Sequence, residues 1–327
     1  MLFLNVLRRR TVILLYHRVA SHRPDPRLLC VSPEHFAEHL QVIASDYHAE
    51  PLGHPHAETG RRRPFGKTVV VTLDDGYADN CWNAKPLLED LGLPATVFVS
   101  SGYVDTNKEL PSDVLERCLL GTARLPPSLT LEIGGGAHTW SIDSAVEPAD
   151  AWNVTMECDP TSRHTCYRDI HRLLRPLGSD ERAKVLDELA EWASSTGGRD
   201  DRRVMSSAEL GSWRDSGQLE VGSHGVHHLL FATQPPDVQR REIDASKKRL
   251  QEILDRPVET FAYPYGGQRD IGVDSPSLVR EAAYSLACSN VPGIATPGSD
   301  PFWLPRHLVR DWDGDEFARR LRLAFRG

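Results

Sequence analysis

Short apolar runs recur along the chain. Between them lie longer stretches whose apolar residues fall three and four positions apart. Runs at 11–15, Thr68–Leu73, Ala95–Val99, 219–221, 259–263 and 284–287 read as buried strands. Helices are predicted between them. Ser32 is placed to cap one that starts at Pro33, with Phe36, Leu40 and Ile43 on one face. Others are expected at 79–91, ended by Gly92, and at 206–216, Pro236–Leu254 and 315–325. Strand and helix in alternation predict parallel β/α units.

The rhythm breaks between 108 and 203. There, 129–133 and 138–142 flank Gly134-Gly135-Gly136 and read as a hairpin, followed by helical pieces at 167–174 and 180–192. We expect one domain over 1–327 with an inserted α+β segment at about 108–203, serving as a lid or one wall of a substrate cleft.

A chain of 327 residues with net charge −8 is long enough for a large core and lacks the basic excess of a nucleic-acid binder. The runs Arg8-Arg9-Arg10 and Arg61-Arg62-Arg63 read as solvated surface, and no nucleic-acid partner is expected. Residues 1–7 are apolar and precede the arginines, the reverse of a secretory signal. The 11–15 run is too short to cross a bilayer. A cytoplasmic protein is therefore expected, with peripheral membrane contact through Leu2, Phe3 and Leu4 as a weaker option. The six cysteines form no C-x-x-C pair and read as free thiols.

The chemistry-bearing residues follow the strands. His17 comes after the first, Asp74-Asp75-Gly76 after the second, His224 and His228 after a later one, and Tyr263-Pro264-Tyr265 after another. In a barrel of parallel strands such positions converge on one rim. Two adjacent carboxylates repel unless a cation lies between them or one is protonated. With Asp75 and two histidines as ligands, Asp74 is left as an ionised base, the equipment of metal-assisted hydrolysis. In His224-Gly225-Val226-His227-His228 the second ligand is either His228 or His227.

Together, Thr72-Leu73-Asp74-Asp75-Gly76-Tyr77, His224 to His228 and Phe261-Ala262-Tyr263-Pro264-Tyr265-Gly266 resemble the motifs of the polysaccharide deacetylase family (NodB-like, carbohydrate esterase family 4). Glu242, Ser246 and Leu250 resemble the helix that joins its last two motifs, and Tyr16-His17-Arg18-Val19 resembles the start of a bacterial subgroup. The resemblance implies a distorted (β/α)7 barrel and hydrolysis of an N-acyl group, usually acetyl, from an amino sugar. It implies one divalent metal, most commonly zinc and in some members iron, cobalt or nickel, on Asp75, His224 and His228. Asp74 would be the base, and Tyr265, Tyr263 and Tyr77 would contact substrate or oxyanion.

Two motifs depart from the pattern. Ala262 stands where many members carry the arginine that pairs with the catalytic aspartate, and Arg306 is the candidate substitute. The late leucine-x-histidine motif is blurred at Leu304-Pro305-Arg306-His307, so His307 and His17 are both candidate general acids. The expected partner is a nucleotide-linked, lipid-linked or natural-product amino sugar. The alternatives are a deformylase with the same chemistry and a carbohydrate-binding barrel without turnover.

Overall fold

Among the described residues, seven strands make the main path of the large sheet, here numbered in chain order: β1 (Thr11–Tyr16), β2 (Thr68–Leu73), β3 (Ala95–Val99), β4 (Leu219–Ser223), β5 (Thr260–Ala262), β6 (Leu286–Cys288) and β7 (His307–Leu308). In the computed structural model they lie in the order β6-β5-β4-β3-β2-β1-β7, and every neighbouring pair is parallel. The short strand His48–Ala49 also pairs with β2. The structure describes residues 10–52, 67–145 and 149–326. The apolar start, Arg8, Arg9 and the 61–63 arginines lie outside the described residues.

β2 is buried at all six positions, as a parallel strand covered on both faces should be. Ile13, Val70, Phe98, Ala262 and Cys288 form an apolar cluster contributed by five of the strands. The segment 301–308 joins the two edges of the sheet. Its first half bonds to β6: Ala287 N donates to Pro301 O at 2.8 Å, Leu304 N to Ala287 O at 2.9 Å, and Ser289 N to Leu304 O at 2.8 Å. Its second half is β7, which pairs with β1. The strand rhythm predicted parallel β/α units, and the result is the distorted (β/α)7 barrel that the resemblance implied.

The helix expected at 79–91 is two pieces, a wide π turn at Asn80–Ala84 and an α-helix at Lys85–Leu91. Pro86 explains this, because it has no N–H to donate back into the preceding turn. Gly92, at φ +62°, ends the helix as expected. Pro236–Leu254 forms over its expected span, and Ser206 caps the helix Ser207–Asp215 through a capping box with Glu209. Among the described residues no helix is long and apolar enough to cross a membrane. All six cysteines are free.

The chain divides into two compact units. The barrel unit holds Met1–Ser21, Cys30–Asp105 and Val204–Gly327, and the second holds His22–Leu29 and Thr106–Arg203. The second unit has its own core, which includes Cys118, Leu129, Leu131, Ile133, Trp152, Tyr167 and Leu189. Its hairpin pairs Ser128–Ile133 with Gly136–Ser141 around a two-residue Gly134-Gly135 loop, and every second residue of the first strand is buried. The helix Pro111–Leu115, continued by a wide turn at Glu116–Leu120, has no clear sequence periodicity because neither piece exceeds five residues.

Candidate active site

His17, Asp74, His224 and Ser289 each stand one residue past the end of a parallel strand, on the same rim of the barrel. Asp75 follows Asp74 at φ +72°. His228, at φ +54°, and Tyr265, at φ +62°, have the same left-handed backbone. Each such non-glycine residue costs about 1–3 kcal/mol, and this strain commonly gathers at functional sites. Gly76 follows Asp75 at φ +77°, and an added Cβ there would lie 3.0 Å from the Val99 methyls. The turn that presents the two aspartates therefore requires glycine.

Asp75, His224 and His228 each offer one ligand atom, and these atoms lie within 4.8 Å of one another. His224 Nδ1 is 2.7 Å from the Ala262 carbonyl, so this nitrogen is the N–H donor and Nε2 keeps its lone pair. That lone pair faces Asp75 Oδ1 at 3.6 Å, and His228 Nε2 lies 3.2 Å from the same oxygen. Even so, Asp75 Oδ1 is buried and forms no well-aligned hydrogen bond. An acceptor facing a lone pair with no proton between them is the arrangement of ligands around a shared cation. The donor set fits a divalent metal with open coordination positions. Burial pushes His224 down to about 4, so it is a neutral imidazole, as a metal ligand must be.

Asp74 has a different partner. Arg306 Nη1 donates to its Oδ1 and Nη2 to its Oδ2, both at 2.7 Å, and Arg306 is fully buried. Arg306 Nε donates to Ser289 O at 2.8 Å and Nη1 also reaches Thr72 Oγ1 at 3.2 Å, so the fork is fixed from three sides. Burial alone would raise the Asp74 pKa. Arg306, His224 and His17 outweigh it and hold Asp74 below the usual carboxylate range. For Asp75, burial is likewise outweighed, chiefly by His228.

His17 belongs to the same rim. Burial lowers its pKa, against the pull of Asp75 and Asp74. His307 is not brought to the site. It follows the inward-facing Arg306 by one residue, so strand alternation turns its ring outward. There it lines a cavity of about 420 Å³ with Leu14, Trp312, Phe317 and Leu321. Two of the tyrosines assigned to substrate are also spent elsewhere. Tyr263 is buried and donates its hydroxyl to Phe302 O at 3.0 Å. Tyr77 is fully buried under the Arg18 guanidinium, 4.2 Å from its ring centre. Tyr265 is at the site, its ring edge-on to His228 at 4.7 Å. His227 turns away from Asp75, with Nδ1 2.6 Å from Glu242 Oε1.

Glu242 is the residue whose role the sequence did not disclose. It is buried, and its Oε2 accepts the backbone N–H groups of Val226 at 2.9 Å and His227 at 2.8 Å. One turn on, Ser246 Oγ meets Ser223 Oγ at 2.7 Å, just before His224. The helix Pro236–Leu254 thus grips the ligand loop at two points. The available signal was two polar residues, four apart, in line with Ile243, Leu250 and Leu254 on the buried stripe of that helix.

The family model for polysaccharide deacetylase matches residues 61–144 and 189–284, more than half of the chain. YxkH of Bacillus subtilis is 33% identical over 90 residues, which cover 27% of this chain and 30% of that protein. A poly-beta-1,6-N-acetyl-D-glucosamine N-deacetylase of Staphylococcus aureus is 25% identical over 128 residues, 34% of this chain and 43% of the relative. The matched stretches thus span less than half the length of these relatives. IcaB from Ammonifex degensii shares the fold, with a TM-score of 0.57 over 97% of both chains at 18% identity.

Proposed function

This chain belongs to the polysaccharide deacetylase family, and on that basis we propose that it is a metal-dependent amide hydrolase that removes an N-acetyl group from an amino sugar. The observation that carries the proposal is an aspartate held ionised by a two-pronged arginine, directly beside an Asp-His-His trio able to hold a cation. A divalent cation held by Asp75, His224 and His228, with zinc our first choice and iron, cobalt or nickel the alternatives, would supply Lewis acidity toward the acyl group and water.

Asp74 is assigned the proton of the attacking water. Arg306 keeps both oxygens of Asp74 in place and the carboxylate charged. His17 is assigned the proton that goes to the leaving nitrogen, and its lowered pKa makes it a stronger acid whenever it carries that proton. The Tyr265 peptide, turned by its left-handed backbone, is assigned the acyl oxygen. The name of the Staphylococcus relative directs the first substrates to N-acetylglucosamine units.

The test is acetate and formate release by metal-reconstituted protein from free, nucleotide-linked, lipid-linked and polymeric N-acyl amino sugars, with Asp74→Asn as control. Acetate release lost in Asp74→Asn supports the proposal, and formate alone would change the acyl group. A protein that binds one metal and these sugars, yet releases neither acid from any of them, is a binding barrel and not a hydrolase.

A further inference from the structure

Between the loop of Asp75 and the loop of the two histidines runs a stretch to which the amide chemistry gives no task. β3 pairs in parallel with β4 as far as Val99 opposite Ser223. The pairing continues past the ends of both strands. His224 N donates to Val99 O at 2.9 Å, Ser101 N to Gly225 O at 3.0 Å and Gly102 N to Val226 O at 2.9 Å. On the β2 side, Ser100 N donates to Asp75 O at 3.4 Å. The turn at 100–102 is therefore bonded, backbone to backbone, to both loops that carry the trio. Ser100 and Ser101 are buried.

At Gly102 the approach leaves no room for a side chain. A Cβ there would lie 2.8 Å from Val226 O and 2.9 Å from Val226 Cγ1, and the three nearest atoms all belong to Val226. Gly102 is not among the positive-φ glycines, so it is required for the close approach and not for its backbone angles. The Val226 peptide is also held from its other end, where Glu242 Oε2 accepts its N–H at 2.9 Å. A ligand set works only when its members are held within about 0.5 Å of their places. Asp75 and the histidines stand on different loops, so some part of the chain has to fix the gap between them. We infer that the turn at 100–102 is the spacer that fixes this gap, with Gly102 as its positioning residue. The inference rests on the reading of Asp75, His224 and His228 as metal ligands.

The test is the zinc affinity of the full chain, by competition with a chelator, together with the spectrum of the cobalt-loaded protein. Both are read well below the melting temperature of the metal-free protein, where the chain is folded. In Gly102→Ala the added methyl pushes the histidine loop away from the turn, since backbone has to move when a tight contact is overfilled. We expect zinc to bind about 10–100-fold more weakly, as when a contact supporting a ligand is lost, and the cobalt bands to shift. A merely structural glycine would lower the melting temperature of the metal-free protein and leave both metal readings as in wild type. Wild-type affinity and bands in Gly102→Ala therefore overturn the inference, whatever the melting temperature. Should Gly102→Ala not fold, Ser101→Pro decides on the same two readings. It removes the N–H that Gly225 O accepts, at the first residue of a short helical turn, where proline fits. The ligand assignment is judged in the same assay by His228→Ala. A wild type that binds no zinc, or a His228→Ala variant that binds it normally, defeats the trio and the spacer together. Zinc lost in His228→Ala but held normally in Gly102→Ala defeats the spacer alone.

Discussion

Asp74 and Asp75 are adjacent in sequence, yet the turn between them sends them to opposite kinds of partner. Asp74 meets a fixed cation, Arg306, whereas Asp75 meets two histidine nitrogens and has a buried oxygen with no donor. Their substitutions should separate accordingly. Asp74→Asn should lower acetate release by about 10²–10⁴-fold and leave metal content at one per chain by elemental analysis. His228→Ala should lose the metal, and His227→Ala should keep it. Loss in His227→Ala alone would reverse the ligand assignment. Replacing Arg306 by Met should cost about 3–5 kcal/mol in denaturant unfolding, because a buried carboxylate is left without its partner. The sign with pH follows from the same pair. A carboxylate held below its unfolded pKa adds stability above that value and loses it as pH falls through the native pKa. Without Arg306 the burial of Asp74 would dominate and raise its pKa, so the acid limb of activity should move to higher pH. An unmoved limb would show that another group sets it.

At the scale of elements, Pro236–Leu254 both packs the barrel and holds the ligand loop. Glu242→Ala would leave the N–H groups of Val226 and His227 without their carboxylate, at about 1–3 kcal/mol for a buried unpaired group. It should also weaken metal binding by about 10–100-fold, as loss of a supporting contact behind a ligand usually does. Glu242→Gln keeps an acceptor and should recover most of both losses in metal titrations read by the spectrum of the cobalt-loaded protein. Equal defects in Ala and Gln would mean that charge, not loop geometry, is what Glu242 provides. The helix itself was legible in the sequence because its apolar stripe runs for five turns. The wide turns at Asn80–Ala84 and Glu116–Leu120 were not, since their backbone pattern has no side-chain period of its own.

In the barrel as a whole, the proposed metal site and barrel closure draw on the same strands. The trio draws on the loops after β2 and β4, while Arg306 reaches Asp74 from the segment that joins β6 to β1. A ligand that binds only the folded barrel stabilises it by mass action, about 2.7 kcal/mol at a hundredfold excess over Kd. Chelation should therefore lower the melting temperature of the barrel unit by several degrees, and readdition of zinc should restore it. A melting curve indifferent to both would remove the metal from the proposal.

The order of strands and helices, the buried character of β2 and the rim positions of His17, Asp74, Asp75 and His224 follow from the sequence alone. Each depends on a local period or on a neighbour a few residues away, and such signals survive in one dimension. The direction of individual side chains did not follow. His228 rather than His227 faces Asp75 because a left-handed residue and Glu242, fourteen positions away, set the turn. Arg306 points in and His307 out because the two-residue strand β7 takes its register from β1, almost three hundred residues earlier. Tyr263 and Tyr77 sit in buried contacts that only the packed barrel creates. Those decisions are made by long-range hydrogen bonds and burial, which have no counterpart in the linear pattern.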